Sequence, residues 1–193
     1  MRLLSRDGEI DYQEAFLTPA AARQWFDQLA LDMDWHDETL RLFGRDIRVP
    51  RRVAWHGDAG TDYRYAGVTH APRPWTPALR TLKAAVEEAC GQRFNSVLGN
   101  LYRDGRDAMG WHADNEPELG CQPLIASLSL GAERRFEIRH RTTRETLRLP
   151  LASGSLLIMG GAFQAYWQHR IPRQPGITEP RINLTFRWIQ TRN

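Results

Sequence analysis

Residues 181–188 read Arg-Ile-Asn-Leu-Thr-Phe-Arg-Trp, in which every second side chain is apolar. Successive side chains of a β-strand point to opposite faces, so this alternation predicts a strand with one apolar and one polar face. The polar face carries Arg181, Asn183, Thr185 and Arg187. A solvated face is the ordinary explanation of such a strand. Two guanidinium groups on one face also suit a small dicarboxylate, because they form bidentate, charge-assisted bonds with carboxylates.

Short segments rich in β-branched and apolar residues fill the chain between Gly91 and this strand. Glycine, proline and charged turns separate them, a pattern typical of an antiparallel sandwich or barrel. The candidate strands, the last of which contains residues 181–188, are 95–103, 123–131, 135–140, 145–149, 155–159 and 181–190.

The chain before Gly91 has a helical pattern instead. Amphipathic helices are predicted from Thr18 to about Asp34 and from Thr76 to Cys90, and each opens on a Thr-Pro pair that suits a helix N-terminus. The fold class is therefore α+β, with N-terminal helices packed on an eight-stranded jelly roll.

Length and composition fit one ordinary globular domain. The chain has 193 residues, of which 41% are apolar and 25% charged, and no apolar run reaches the ~20 residues of a membrane span. Acidic residues at Asp7, Glu9 and Asp11 are incompatible with a secretory signal, so we expect a cytoplasmic protein that does not contact membranes. Cys90 and Cys121 are far apart and form neither a CxxC motif nor a dense framework, so neither a disulfide scaffold nor a thiolate metal site is indicated.

Arginines cluster in two places. Five of them, with Asp46 as the single acidic residue among them, lie within the twelve residues 41–52, and these are Arg41, Arg45, Arg48, Arg51 and Arg52. The second cluster, between residues 134 and 148, is interleaved with glutamates that can pair the charges locally. The first cluster is therefore the better candidate for binding phosphates.

His112 and Asp114 are two residues apart, so on extended backbone both side chains point to one face. With one further histidine they would make a 2-His-1-carboxylate set, which leaves positions on iron open for substrate and oxygen. His169, 55 residues after Asp114 (169 minus 114), is the best third ligand, because that distance lets several strands run out and return. Taken alone, His169 is better explained as a partly buried histidine beside a turn at Pro172.

The remaining histidines are weaker candidates. Three of them, His36, His56 and His70, precede the predicted β region, and His140 lies in an arginine-rich segment that favours a solvated surface.

Two further pairs of polar residues each share one face of a predicted strand, because their members are two residues apart. Asn100 and Tyr102 can donate hydrogen bonds to an oxygen-rich ligand, or Tyr102 anchors a strand edge. The hydroxyls of Ser127 and Ser129 suit the lining of a crowded pocket.

The order Asn100-x-Tyr102, His112-x-Asp114, His169 and Arg181-x-Asn183-x-Thr185-x-Arg187 resembles the AlkB family of nucleic-acid dealkylating dioxygenases. The most specific piece is the closing RINLTFRWI. The resemblance extends upstream through PRRVAWHGDAGTDYRYAG and FNSVLGNLYRDGRD to cover residues 43–188, and it is greatest to the branch that repairs double-stranded DNA.

The resemblance implies a double-stranded β-helix, the jelly roll of this family. It implies Fe(II) bound by His112, Asp114 and His169, with 2-oxoglutarate and O2 as co-substrates. The residues it assigns to 2-oxoglutarate are Asn100, Tyr102, Arg181, Thr185 and Arg187, and Asn183 fits the same pocket-facing pattern. The expected activity is oxidative demethylation of 1-methyladenine or 3-methylcytosine in DNA, which repairs the damaged base and yields succinate, carbon dioxide and formaldehyde.

Two alternatives remain beside that activity. The same iron centre could act on RNA, tRNA or another substrate, although the arginines of residues 41–52 favour nucleic acid. A catalytically silent binding module would need a broken ligand set, whereas each ligand position here holds a competent residue. Trp55 and His56 replace the residues expected before GDAG, so lesion preference can differ from that of the family.

The resemblance also implies contacts with the nucleic acid. Because the methylated nitrogen lies on the pairing edge, the base must be flipped out of the stack into a pocket. The residues that the resemblance assigns to these contacts are Tyr63 and Tyr65 in the pocket, Asn115 and Glu116 at the base edge, and Phe43, Gly44 and Arg45 in a hairpin that probes the duplex.

We expect one dioxygenase domain over residues 1–193, acting as a monomer on alkylated DNA, with RNA as the alternative substrate. Its predicted parts are a helical extension at 1–40, a nucleotide-recognition region at 41–75 and a jelly-roll core at 95–190.

Overall fold

The computed structural model of the chain describes residues 1–42, 45–65 and 68–190, and the side chains of residues 40–45 and 63–70 lie outside that description. The strands and helices of the described residues are β1 (Arg2–Leu4), β2 (Glu9–Gln13), α1 (Pro19–Asp32), β3 (His36–Leu42), β4 (Arg45–Gly57), β5 (Tyr63–Tyr65), β6 (Val68–His70), α2 (Pro77–Cys90), β7 (Ser96–Tyr102), β8 (Met109–His112), β9 (Ile125–Gly131), β10 (Arg134–His140), β11 (Thr146–Leu151), β12 (Leu156–Gly160), α3 (Phe163–Tyr166), β13 (Trp167–Ile171) and β14 (Arg181–Arg187).

Two antiparallel sheets face each other and form a jelly roll. The larger has the order β1-β2-β12-β9-β14-β7-β4-β3, and the smaller has the order β11-β10-β13-β8. Apolar side chains of both sheets fill the space between them, for example Ile125 and Leu157 from the larger and Phe136 and Trp167 from the smaller. The α+β class and the jelly roll are thereby confirmed.

Helices cover the outer face of the larger sheet. Leu29 of α1 and Leu79, Leu82 and Val86 of α2 pack in one cluster with the sheet residue Leu184. Both predicted helices are present, and the hydroxyls of their Thr caps accept hydrogen bonds from backbone N–H groups of the first turn, as the Thr-Pro signals predicted.

The first 40 residues, which we expected to form a helical extension, hold strands as well as the predicted helix α1. They contain β1 and β2, and β2 pairs with β12 inside the larger sheet, where Ile10 is fully buried. The acidic residues around Ile10 hid this strand in the sequence, although the alternation of Ile10 and Tyr12 with polar residues signalled it.

The jelly roll also recruits β4 from the predicted recognition region, since β4 pairs with β7 on one side and β3 on the other. The larger sheet is therefore not built from residues 95–190 alone. Two strands next to the predicted ligands, β8 and β13, were also missed, because each is only four or five residues long.

His140 is buried, which corrects its placement on a solvated surface. Its Nδ1 accepts hydrogen bonds from the backbone N–H groups of Thr142 and Thr143, and its Nε2 lies 3.3 Å from the Asp7 carboxylate. It closes the turn after β10, so the arginines that surround it in sequence do not predict its exposure.

Candidate metal centre

Three side chains meet where β8 and β13 pair. His112 ends β8, Asp114 follows two residues later, and His169 lies opposite His112 in the ladder. The two rings have centroids 4.1 Å apart, and one ligand atom from each of the three side chains lies within 4.8 Å of the others. The structure thus brings His169 together with His112 and Asp114, which precede it by 57 and 55 positions, and together the three could hold one metal ion.

The tautomer of His112 suits a metal ligand. Its Nδ1 lies 2.9 Å from the carbonyl oxygen of Gly110, which can only accept, so Nδ1 carries the hydrogen and donates it. The lone pair is therefore on Nε2, which lies 3.6 Å from Oδ1 of Asp114. Metal-binding histidines commonly donate their second ring N–H to a carbonyl in this way.

Burial keeps both imidazoles neutral. It lowers the pKa of His112, and together with the neighbouring His112 ring it lowers the pKa of His169 to about 3. Nδ1 of His169 is buried without a hydrogen-bond partner in the described residues. Neutral rings offer lone pairs, which is the state a metal ligand needs.

Asp114 is buried yet ionised. Burial alone would raise the pKa of its carboxyl group, but the charge of Arg187 outweighs burial and holds that pKa well below its usual range. Nη2 of Arg187 donates a hydrogen bond of 2.7 Å to Oδ2 of Asp114. Arg187 therefore supports the carboxylate in this structure, and its contact with 2-oxoglutarate stays a prediction.

A pocket between the sheets joins this cluster to the polar face of β14. Apolar side chains of the smaller sheet form the opposite wall. The lining includes all nine predicted residues, namely His112, Asp114, His169, Asn100, Tyr102, Arg181, Asn183, Thr185 and Arg187. The polar face of β14 thus points into the pocket rather than into solvent. Trp188, which lies past the end of β14, is 45% exposed.

Arg181 is a buried cation with spare donors. Its Nη2 donates to Oγ of Ser129 at 2.9 Å, whereas its Nε and Nη1 have no hydrogen-bond partner in the described residues. Burial lowers its pKa to about 10, and the Tyr102 ring centroid lies 5.2 Å from its guanidinium carbon. A buried guanidinium with unpaired N–H groups is costly unless an anion completes it, so Arg181 suits one carboxylate of a diacid.

Other polar residues of β14 satisfy one another. Nδ2 of Asn183 donates to Oγ of Ser127 at 2.8 Å, and Oγ1 of Thr185 donates to Oδ1 of Asn183 at 3.0 Å. These bonds fix the floor of the pocket. The two serines, predicted only as lining, contribute directly, since Ser127 holds Asn183 and Ser129 holds Arg181.

Arg51 was misassigned to a phosphate-binding cluster. It is 4% exposed, and its Nε donates to Oδ1 of Asn100 at 2.6 Å. The signal in the sequence was the two-residue step of a strand, which places Arg51 on the same inward face of β4 as Val49 and Val53. Arg48 is exposed but pairs with Asp37 at 2.5 Å.

Gln164 was not singled out in the sequence, and nothing in the spacing pointed to it. It comes from α3, is buried, and accepts a hydrogen bond from the backbone N–H of Asp114 at 2.9 Å.

Most of the predicted substrate contacts fall where the structure gives no side chains. Phe43 and Gly44 lie outside the described residues, as do the side chains of Arg45, Tyr63 and Tyr65. Of the remaining pair, which directly follow Asp114, Asn115 is exposed and Glu116 is half-buried, with its Oε2 lacking a hydrogen-bond partner in the described residues.

Two neutral imidazoles and a carboxylate beside a buried cation, held in a jelly roll, define a class of protein: oxygenases that bind Fe(II) through three side chains. Residues 10–187 match the family model described as the 2OG-Fe(II) oxygenase superfamily. The chain is 40% identical over 181 residues to human DNA oxidative demethylase ALKBH2, covering 88% of this chain and 69% of that protein. The chain belongs to the 2OG-Fe(II) oxygenase superfamily and, within it, to the AlkB family.

Further relatives agree. Human alpha-ketoglutarate-dependent dioxygenase alkB homolog 3 is 44% identical over 193 residues, covering 94% of this chain. The chain spans 64% of that protein's length. The solved structure of OsALKBH1 superimposes with a TM-score of 0.66 at 17% identity, covering 97% of this chain and 100% of that one, which supports the fold alone.

The cofactors named by the superfamily, Fe(II) and 2-oxoglutarate, fit the residues present. The donor set is two neutral imidazoles and a carboxylate, and the pocket holds a buried guanidinium with unpaired donors. No helix in residues 1–42, 45–65 and 68–190 is long and apolar enough to span a bilayer.

Proposed function

We propose that this chain is an Fe(II)- and 2-oxoglutarate-dependent dioxygenase that removes alkyl groups from damaged bases in nucleic acid. The observation that carries the proposal is the cluster of His112, Asp114 and His169 in a pocket that also holds the buried guanidinium of Arg181. The names of two relatives, a DNA oxidative demethylase and an alkB homolog, support the substrate class.

In this proposal His112 binds iron through Nε2, and Asp114 and His169 complete the set. When bound, iron with 2-oxoglutarate and O2 supplies the oxidation: one oxygen atom goes to 2-oxoglutarate, giving succinate and carbon dioxide, and the other to the methyl carbon, which leaves as formaldehyde. The part of Arg187 is to keep Asp114 ionised and to fix its carboxylate by a charge-assisted hydrogen bond.

Arg181 binds the carboxylate that lies away from the metal, with Tyr102 packed against the guanidinium. Oγ of Ser129 holds one end of Arg181, so the free N–H groups keep a fixed direction before the ligand arrives. Met109, Phe136 and Met159 form an apolar wall that restricts water, which strengthens these electrostatic contacts.

The substrate is a base flipped out of its stack, because the alkylated nitrogen of 1-methyladenine or 3-methylcytosine lies on the pairing edge. Asn115 and Glu116, which directly follow Asp114, are proposed to contact the base edge, and the buried Oε2 of Glu116, which lacks a partner in the described residues, supports this for Glu116. Tyr63 and Tyr65 are proposed to stack on the base, and Phe43, Gly44 and Arg45 to probe the duplex.

The test is product release from methylated oligonucleotides incubated with Fe(II) and 2-oxoglutarate. We expect succinate and formaldehyde in equal amounts from 1-methyladenine or 3-methylcytosine in DNA, and loss of both products in His112→Ala. The matched control is His36→Ala, which removes an exposed histidine outside the pocket and should keep wild-type rates. Turnover that survives His112→Ala would contradict the assigned centre.

A methylated RNA of the same sequence separates the alternative substrate. Turnover of RNA without turnover of DNA would keep the iron centre and replace the proposed substrate. Absence of product from both, with folded protein, would contradict the proposed activity itself.

A further inference from the structure

The short helix α3 lies behind the proposed metal centre and contacts two of its three residues, the ring of His169 and the backbone of Asp114. It consists of Phe163–Tyr166 and connects β12 to β13. The Phe163 ring has its centroid 6.1 Å from that of His169, and the Gln164 side chain reaches the backbone of Asp114. The proposed iron ligands are thus held from a segment that follows Asp114 by 50 residues.

Asp114 needs such support because it lies outside the sheet. β8 ends at His112, and residues 113–116 have no regular secondary structure, so no strand ladder fixes the backbone there. The N–H of Asp114 donates instead to Oε1 of Gln164 at 2.9 Å. Asp114 and Gln164 are only 3% and 2% exposed, so solvent does not compete for this hydrogen bond.

The direction of the Gln164 amide is determined by its two neighbours. The backbone N–H of Asp114 requires an acceptor, and an amide nitrogen cannot accept, so the oxygen must face Asp114. The amide nitrogen then points to Sδ of Met159, at 3.9 Å. A flipped amide would place two donors against each other, so the observed orientation is the one that fits.

We infer that Gln164 is a positioning residue that sets the direction of the Asp114 carboxylate through its backbone N–H. The inference rests on the proposed function, in which Asp114 is a metal ligand. Arg187 holds Oδ2 of the same residue, so backbone and carboxylate each accept or donate one buried hydrogen bond. Residues that orient metal ligands in this way influence metal affinity without touching the ion.

The test is Co(II) binding by the full chain, followed by visible absorption, in wild type and Gln164→Met. Methionine fills a similar volume but cannot accept the hydrogen bond as an amide oxygen does. We expect Co(II) affinity to fall by about 10- to 100-fold and the absorption spectrum to change, because Asp114 is no longer held in one direction. Gln164→Asn keeps an amide that is one methylene too short, so it should show the same loss and carries the test if Gln164→Met does not fold.

The matched control is Gln168→Met. Gln168 directly precedes His169, but its Oε1 accepts a hydrogen bond from Arg139 at 3.2 Å instead of contacting the centre. Its Co(II) affinity should stay within about twofold of wild type, because the hydrogen bond to Asp114 remains.

A purely structural role for Gln164 would lower the free energy of unfolding of the metal-free protein and leave Co(II) affinity and spectrum unchanged. That result would overturn the inference while the proposed centre stands. If wild type does not bind Co(II), or if His112→Ala binds it as tightly as wild type, the proposed centre and the inference both fail.

Discussion

At the scale of single residues, burial and one ion pair set the protonation states that the proposed chemistry needs. His112 and His169 stay neutral because burial disfavours their charged forms. Asp114 stays ionised because Arg187 donates to it at 2.7 Å inside the same pocket. Removing Arg187 would leave a buried carboxylate uncompensated, which typically costs about 3–5 kcal/mol.

His56 extends the same principle to a residue outside the proposed centre. It is buried, its Nδ1 lies 2.8 Å from the carbonyl oxygen of Pro74, and burial lowers its pKa from the ordinary value of 6.5. The unfolded chain therefore binds the proton more readily than the folded one, so stability is full above about pH 6.5 and falls as the pH drops below it.

We predict that His56→Gln weakens this acid sensitivity. Urea unfolding of the metal-free protein at pH 7.5 and 5.5 should show a smaller loss of stability at the lower pH in the variant than in wild type. The exposed His36 provides the control substitution, His36→Gln. Equal pH dependence in wild type and His56→Gln would show that His56 does not contribute to the acid sensitivity.

At the scale of elements, helix α2 shows how capping and packing act together. Oγ1 of Thr76 accepts a hydrogen bond from the backbone N–H of Leu79 at 3.2 Å, and Gly91 ends the helix with a φ of 62°. Glycine adopts this left-handed conformation at little cost because it has no Cβ. Leu79, Leu82 and Val86 bury the inner face of the helix against the larger sheet.

Thr76→Ala should therefore lower the free energy of unfolding by about 1 kcal/mol, because the N–H of Leu79 loses its acceptor. The control is Thr81→Ala in the same helix. Thr81 is exposed and only donates to the carbonyl oxygen of Pro77, so its removal should be close to neutral. Chemical denaturation measures both, and equal effects would contradict a specific role for the cap.

At the scale of the whole molecule, one buried arginine ties together loops that are far apart in sequence. Arg134 is 1% exposed and donates to the carbonyl oxygens of Asp104 at 3.1 Å, and of Asp107 and Pro172 at 2.8 Å each. These carbonyls belong to the loop after β7 and to the loop between β13 and β14. Arg134 therefore connects the larger sheet to the smaller one beside Tyr102.

Arg134→Met should destabilise the fold by on the order of 3 kcal/mol, because one buried and two partly buried carbonyl groups lose their donor. Arg135→Met is the matched control, since the adjacent side chain points outward and pairs with Glu137 at 3.1 Å while 46% exposed. Its cost should be within about 1 kcal/mol. Thermal and urea unfolding compare the two variants, and similar losses in the free energy of unfolding would contradict the proposed role of Arg134 in connecting the loops.

The residues around the pocket were predictable to different degrees. Arg181, Asn183 and Thr185 could be found because the alternation of a strand is local and visible in the sequence. Gln164 and Arg51 were harder to find as site residues, since Gln164 acts on Asp114 from 50 residues away and Arg51 on Asn100 from 49 residues away. A strand as short as β2 was hidden by its charged neighbours, and only its pairing with β12 makes it part of the sheet.

The sequence by itself determined the α+β class, the two capped helices, the polar face of β14 and the identity of the three candidate ligands. The class, the helices, the polar face and the His112-Asp114 pair follow from local spacing, because side-chain direction repeats every two residues in a strand and about every 3.6 in a helix. His169 lies 55 residues after Asp114 and was assigned to the set by the order of the motifs and their resemblance to the AlkB family. The tertiary structure decided that the polar face of β14 turns inward, that Arg187 supports the carboxylate of Asp114, and that Gln164 holds the backbone of Asp114. Those outcomes depend on burial and on contacts between distant segments, and no local pattern records them.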